Sequence, residues 1–370
     1  DAMPQQDLEV SLGSGGLKGM YQVGLFSALE DRHLARIGRC AGVSAGALTG
    51  ACLASPAPRA TLQAYYSTAV NQPLVPSGNK YWRAAKRYFG HKDSLYDGAI
   101  FEKLVRDTLA PIAHNKVLDV GVKPLASRNQ HSVQLTADSP FEDVVQSVLA
   151  SAAIMGVFPP RNLPSLGPCV DGGFISGLHL PRLRQAVQDR DSRVLMVVSC
   201  VPSCATDAQA EANYLGESLV APDAFEAEAP TLHTAVMHWV DHSQKLACLG
   251  DASRVRHELG LQDMPDGVFG ALYDGSGGAP FLYNAGTLLR DLPPAPQASA
   301  RPMAMVYCAP KLADGFGQMT SDIALMTGTQ QHKRRAVLER YHETGAKAAP
   351  EVSKLLDVAA RWTASRRGSA

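Results

Sequence analysis

The first fifty residues alternate between segments with the period of a strand and segments with the period of a helix. Residues 8–12 alternate apolar and polar side chains and then stop at a glycine-rich loop, which predicts a strand that ends in a tight turn. Helical spacing follows over 17–33, then a short strand over 36–44 and a helix of small residues over 45–55. This order predicts a parallel sheet with helices on both faces.

Further elements are predicted later in the chain. Two amphipathic helices cover residues 97–110 and 141–154, and two apolar runs predict buried strands at 193–201 and 303–309. Asp97 is the expected N-cap of the first of these helices. The pattern weakens over 202–300, where one helix near 231–249 stands out, and a charged helix is expected over 322–363.

These elements divide the chain into three predicted parts. Residues 1–201 form the expected core, and residues 202–325 are either the remainder of the same domain or a lid or insertion that includes the late strand. Residues 326–370 form a helical C-terminal tail. The predicted fold class is α/β, with a mostly parallel central sheet.

Composition narrows the possible partners and compartments. The 370 residues carry 35 basic and 35 acidic side chains, so net charge gives no argument for a nucleic-acid partner. No run of 18 apolar residues is present, so no membrane span is expected. Seven cysteines spread thinly over the chain do not form a disulfide framework. We expect a cytoplasmic or peripheral membrane protein, and a secreted effector is also compatible with this composition.

A serine between two glycines is the first candidate for chemistry. Ser44 follows the second predicted strand and precedes the helix of small residues, in the pattern Gly42-x-Ser44-x-Gly46. This is the pattern of a nucleophile elbow, in which side chains at the flanking positions would collide with neighbouring backbone. The helix that follows would point its N-terminus at the site and favour negative charge there. A plain glycine-rich turn is the alternative explanation.

The position of Ser44 argues against an ordinary α/β-hydrolase with a Ser-Asp-His triad. Several strands normally precede the elbow in that fold, whereas only one strand–helix unit precedes Ser44. No downstream histidine lies in a recognisable loop. His233, His238 and His242 share one predicted helix but lack the glutamate of an H-E-x-x-H zinc pattern. No metal site and no cofactor are predicted.

The glycine-rich loop over residues 13–19 is the second candidate. It is not a P-loop because Gly19 follows Lys18, and Lys18 occupies the place of the third glycine in a dinucleotide fingerprint. Gly15 and Gly16 can instead turn two backbone N–H groups toward an anion, as an oxyanion hole requires. Lys18 would act as a nearby positive charge or hold the loop in shape.

Asp171 is the third candidate. It follows a short apolar stretch and precedes Gly172 and Gly173, which let the backbone turn so that the carboxylate faces the ends of the first two strands. An Asp-Gly pair that only initiates a turn is the alternative explanation.

Four stretches, taken in this order, resemble the patatin-like phospholipases. They lie within about residues 8–180 and read LGSGGLKGMYQVG, GVSAGAL, ASAAIMGVFPP and VDGG. The first is similar to the family's oxyanion loop, the second to its nucleophile elbow, the third to a stretch that precedes the base, and the fourth to its Asp-Gly-Gly. The resemblance implies a three-layer patatin-like fold with a mostly parallel central sheet and helices on both faces.

The resemblance also implies an activity, the phospholipase A-type hydrolysis of lipid acyl esters by a Ser–Asp dyad without histidine. Ser44 would attack the ester carbonyl and carry the acyl intermediate, and Asp171 would take the proton. The oxyanion would be held by the N–H groups of Gly15, Gly16 and Ala45. An esterase or thioesterase for soluble acyl esters is an alternative, and a catalytically silent lipid-binding protein is another.

Two features depart from the family pattern. Ser14 stands where the family usually has glycine, and FISGLHLP follows Asp-Gly-Gly in place of a run toward Asn-Pro. The second departure leaves the geometry of that loop open. Some relatives are bacterial effectors or defence enzymes that need an activating protein or nucleotide, and no activator is indicated by this sequence.

The segment over residues 80–92 is both basic and aromatic. As a helix it would suit an interfacial position on anionic lipid, with aromatic and basic side chains on opposite sides. The candidate membrane-facing residues are Tyr81, Trp82, Tyr88 and Phe89. The alternative is a surface helix that packs these aromatic rings on the core. The expected substrate is a phospholipid or another acyl lipid, with peripheral membrane contact.

Overall fold

The computed structural model describes residues 6–72, 94, 96–189, 194–201, 254–262, 264–274, 278–293, 302–311, 314 and 331–364. The basic aromatic segment with Tyr81, Trp82, Tyr88 and Phe89 lies outside these residues. The helix predicted near 231–249, with its three histidines, lies outside them as well.

The described strands form one ten-stranded sheet. In chain order they are β1 (Leu8–Leu12), β2 (Ile37–Val43), β3 (Val117–Pro124), β4 (His131–Leu135), β5 (Arg161–Leu163), β6 (Gly167–Asp171), β7 (Val194–Val198), β8 (Val268–Tyr273), β9 (Phe281–Tyr283) and β10 (Met303–Cys308). Their order across the sheet is β5-β6-β3-β2-β1-β7-β10-β8-β9, and β4 also pairs with β3. The five central strands, β3, β2, β1, β7 and β10, are parallel to one another. The strands at both margins pair antiparallel.

Helices cover both faces of this sheet. They are α1 (Met20–Ala28), α2 (Asp31–Arg36), α3 (Ala45–Ala54), α4 (Pro58–Asn71), α5 (Ala99–Thr108), α6 (Phe141–Ser151), α7 (Leu180–Asp189) and α8 (Gln331–Ala364). Alternate residues of β7 enter different cores: Met196 packs with α1, α3 and α8, and Leu195 packs with α7. The predicted α/β fold class is therefore confirmed. None of the described helices combines the length and apolar character that crossing a membrane requires.

Two helix boundaries differ from those predicted. The segment predicted as one helix over 17–33 contains a 3₁₀ turn (Gly16–Gly19), α1 and the start of α2, because the backbone becomes extended at Leu29. The N-cap of α5 is Gly98, with φ 78°, and not Asp97. Asp97 still contributes, since its Oδ1 accepts the N–H of Ala99 at 3.1 Å.

Two buried strands were missing from the sequence-based prediction. Asp119 interrupts the apolar pattern of β3, and only the folded sheet supplies its partner, Arg39 of β2, at 2.6 and 3.1 Å. Strand β8 lies in the region where the pattern weakened, yet all six of its residues are buried. The predicted strand at 303–309 is present as β10, between β7 and β8.

The C-terminal helix α8 packs against α1 without intervening side chains at the point of crossing. A Cβ atom at Gly24 would lie 1.9 Å from the carbonyl oxygen of His342. A Cβ atom at Gly345 would lie 1.9 Å from the carbonyl oxygen of Tyr21. Glycine at both positions therefore permits this close approach, which joins the predicted C-terminal tail to the helix layer of the core.

Candidate active site

Three segments that lie far apart in the sequence meet at one edge of the sheet. The glycine-rich loop follows β1, Ser44 follows β2, and Asp171 is the last residue of β6. The N–H of Ser14 donates to the carbonyl oxygen of Gly177 at 2.6 Å, so the glycine-rich loop is tied to the run that follows Asp-Gly-Gly. This contact defines the loop geometry that the sequence had left open.

Ser44 and Asp171 are in direct contact. The Oγ of Ser44 donates to Oδ2 of Asp171 at 2.7 Å, and the N–H of Gly173 donates to Oδ1 at 2.7 Å. Both side chains of the pair are buried. Burial raises the pKa of Asp171 from 3.8 to about 7, against the opposing effect of the hydrogen bonds from Gly173 and Ser44. The carboxylate is thus pre-aligned with the hydroxyl and basic enough to take a proton near neutral pH.

The backbone at Ser44 is strained. Its φ of 56° makes it the one non-glycine residue with positive φ in the described parts of the chain. A Cβ atom at Gly42 would lie 2.3 Å from the carbonyl oxygen of Gly46, and one at Gly46 would lie 2.4 Å from that of Leu12. Glycine is therefore needed on both sides of this turn, as in a nucleophile elbow.

The backbone N–H groups of Ser44 and Asp171 both donate to the segment that ends α6. The N–H of Ser44 donates to Oγ of Ser151 at 2.8 Å, and the N–H of Asp171 donates to the carbonyl oxygen of Ala153 at 3.0 Å. Sequence analysis gave these two residues no role. The only signal was their place in the ASAAIMGVFPP stretch.

Two helical turns begin beside the Ser44 hydroxyl. Ser44 is the N-cap of α3, so the N–H of Ala45 has no acceptor within the helix. Gly16, with φ 53°, opens the 3₁₀ turn. Gly16, Ser44 and Ala45 line the same pocket, where these N–H groups and the positive helix end favour an anion.

Gly15, which was predicted as an oxyanion donor, and the predicted supporting residues Lys18 and Gly172 are not among the residues that line the pocket. Gly15 is buried against Cys200, since a Cβ atom added at Gly15 would lie 2.4 Å from the Cβ of Cys200. Lys18 is fully buried and is not part of the pocket wall. Gly172 packs against the backbone of Gly121, where a Cβ would lie 2.6 Å from the carbonyl oxygen.

The pocket beside Ser44 is apolar and encloses about 550 Å³, including its open mouth. Apart from Ser44 and Tyr65, its lining side chains carry no polar group. They come from α1, α3, α4, α5 and α8 and from the segment after α6, and include Leu48, Ala69, Phe101, Ile154, Phe158 and Leu338. Its apolar lining suits an acyl chain. No sequence pattern indicated this set, because its members are distant in the chain.

No histidine among the described residues hydrogen bonds to Ser44 or Asp171. His179 is fully buried, and its Nδ1 accepts the N–H of Arg182 at 3.2 Å. Burial lowers the pKa of His179 to about 4, so its ring is neutral at physiological pH. In the described residues, the contact between Ser44 and Asp171 therefore joins a hydroxyl and a carboxyl group without an imidazole.

Three comparisons with known proteins bear on the family of this chain. No curated protein matches the chain. Among solved structures, the chain is similar to the crystal structure of VipD from Legionella pneumophila, with 13% sequence identity and a TM-score of 0.29. The match covers 97% of this chain and 92% of that chain, and a likeness this weak supports no inference about function. Residues 10–181, however, match the model of the family described as patatin-like phospholipase. Residues 10–181 are therefore identified as a patatin-like phospholipase domain.

Proposed function

We propose that this protein hydrolyses fatty acyl esters of membrane phospholipids, as a phospholipase of A type, with Ser44 as nucleophile and Asp171 as base. The 2.7 Å contact between Ser44 Oγ and Asp171 Oδ2, at the wall of an apolar pocket, carries this proposal. The family assignment supplies the substrate class, a lipid acyl ester.

The first half of the reaction forms an acyl-enzyme. With the acyl chain in the pocket, Ser44 Oγ attacks the ester carbonyl carbon while Asp171 Oδ2 takes the hydroxyl proton. The developing oxyanion faces the N–H groups of Ala45 and Gly16, which line the pocket, and each such donor contributes about 3–4 kcal/mol in the transition state. Protonated Asp171 then gives its proton to the leaving alcohol oxygen as the ester bond breaks.

The second half releases the fatty acid. A water molecule attacks the acyl carbonyl carbon while Asp171 takes its proton, and the proton then passes to Ser44 Oγ as the acyl–serine bond breaks. Asp171 serves as base and acid in turn. This exchange favours a pKa near neutrality, and burial raises the pKa of Asp171 to about 7.

Access to a phospholipid acyl chain requires peripheral contact with the bilayer. The pocket beside Ser44 is partly open to the outside, so a lipid chain can enter it. We propose the aromatic segment with Tyr81, Trp82, Tyr88 and Phe89 as the membrane-facing element, because it joins aromatic and basic residues.

Product analysis by mass spectrometry tests the proposal. Phosphatidylcholine and phosphatidylglycerol vesicles are incubated with the wild type, Ser44→Ala and Asp171→Asn, beside a short-chain soluble ester. Free fatty acid and lysophospholipid from vesicles, lost in both variants, support the proposal. Activity on soluble esters alone points to an esterase, and vesicle binding without hydrolysis of either substrate points to a silent lipid-binding protein.

A further inference from the structure

The segment that ends α6 contacts both members of the proposed dyad through backbone groups. Ser151 is the last residue of α6, and its Oγ accepts the N–H of Ser44 at 2.8 Å. Two residues later, the carbonyl oxygen of Ala153 accepts the N–H of Asp171 at 3.0 Å. One short stretch of chain therefore holds nucleophile and base, which are 127 residues apart in the sequence.

The hydroxyl of Ser151 has only one proton to donate, and a backbone carbonyl accepts it. Oγ of Ser151 donates to the carbonyl oxygen of Gly121 at 2.6 Å, so a lone pair of Oγ is left to accept from Ser44. A hydroxyl that donates one hydrogen bond accepts a second more strongly, because the two polarise each other. Ser151 is fully buried, so water does not compete for either contact.

The carbonyl of Gly121 contacts both Ser151 and the turn that follows Asp171. Gly172, next to Asp171, packs so closely on this carbonyl that a Cβ would lie 2.6 Å from its oxygen. Two hydrogen bonds therefore connect the backbone of Ser44, through Ser151, to Gly121, and Gly121 packs against the turn next to Asp171. A change in the position of Ser151 would move the nucleophile backbone relative to that turn.

We infer that Ser151 is a positioning residue, which holds Ser44 in its strained backbone conformation and sets its distance from Asp171. This inference rests on the proposed acyl hydrolase function, and it assigns to the ASAAIMGVFPP stretch a role that the dyad alone does not explain. Backbone strain at a functional residue persists only where surrounding contacts over-determine it, and the Ser44 N–H contact to Ser151 is one such contact.

Ser151→Ala tests the inference kinetically, with Ser147→Ala as the matched control. Ser147 is a buried serine one helical turn earlier in α6, with no hydrogen bond to the dyad. We expect Ser151→Ala to lower kcat about 10- to 100-fold with KM little changed, because small misplacements of reacting groups have effects of this size. The pH midpoint should stay in place since Asp171 is untouched. Equal kcat in both variants would overturn the inference.

Amide hydrogen exchange separates this inference from the proposed function. In spectra of protein labelled selectively with ¹⁵N-serine, the Ser44 amide, identified by its absence from Ser44→Ala, should be protected in the wild type and in Ser147→Ala. It should exchange about tenfold faster or more in Ser151→Ala. A Ser44 amide that exchanges freely in the wild type would refute the role of Ser151 whether or not the protein hydrolyses lipid. Absence of hydrolysis with a protected amide would refute only the proposed function.

Discussion

Replacement of Asp171 by asparagine should stabilise the protein at alkaline pH and change its stability little at acidic pH. Burial raises the pKa of Asp171 from 3.8 to about 7, so the folded protein binds this proton more tightly than the unfolded chain. Between those two values the folded state loses stability as pH rises, because a buried carboxylate must ionise. Asparagine keeps the shape of the side chain and has no proton to lose.

The size of the effect follows from the shift. A difference of about 3 pKa units at about 1.4 kcal/mol per unit corresponds to about 4 kcal/mol. The unfolding entropy of a 370-residue chain is about 0.8 kcal/mol/K at about 2.1 cal/mol/K per residue. We therefore expect the difference in melting temperature, Asp171→Asn minus wild type at the same pH, to increase by about 5 °C from pH 4 to pH 8.

Thermal unfolding followed by circular dichroism at pH 4 to 8 and constant ionic strength measures this difference in melting temperature. Because wild type and variant are compared at the same pH, the contributions of the other titrating groups cancel. Ser44→Ala is the control, because it is equally inactive but keeps the carboxyl group. The hydrogen bond from Ser44 lowers the pKa of Asp171, so its loss in Ser44→Ala should raise that pKa further. The stability of Ser44→Ala should therefore depend on pH at least as steeply as that of the wild type. A melting-temperature difference between Asp171→Asn and the wild type that is flat across this range would refute the reasoning.

Four further outcomes are expected. The kcat/KM for ester hydrolysis should rise with pH and level off above about 7, because Asp171 must be ionised to act as base; a decline through that range would contradict this. Gly46→Ala should lower the free energy of unfolding by about 3 kcal/mol in denaturant titrations, because its Cβ would lie 2.4 Å from a carbonyl oxygen, whereas Gly286→Ala, at an exposed turn, should change it little. Ala69→Phe should narrow the pocket and reduce hydrolysis of long acyl chains about tenfold relative to short ones, and equal losses on both would exclude this pocket as the acyl site. Arg182→Met should destabilise the fold by about 3–5 kcal/mol because it removes a buried guanidinium that forms an ion pair with the carboxylate of Glu9, and Glu9→Gln in the same chain should recover part of that loss in the same titrations.

Local patterns were sufficient for the candidate chemistry and for four of the five central strands, β1, β2, β7 and β10. The Gly42-x-Ser44-x-Gly46 pattern, the glycine-rich loop and Asp171 could be found because each lies at the end of a strand or apolar stretch with clear periodicity. Turn geometry of this kind is local, since it depends on the space around one or two residues. The order of strands and helices likewise predicted the α/β class before any contact was known.

Tertiary structure alone decided the features that depend on distant partners. Asp119 reads as an interruption of β3 until Arg39 of the neighbouring strand is placed beside it. The apolar pocket joins residues from α1 to α8, and Leu338 enters it because the glycines at the α1–α8 crossing let the helices approach. Burial of Asp171, and with it a pKa of about 7, arises from the whole packed domain. Sequence periodicity reports what a residue does within its own segment, whereas burial and hydrogen-bond partners are set by segments that meet only in the folded chain.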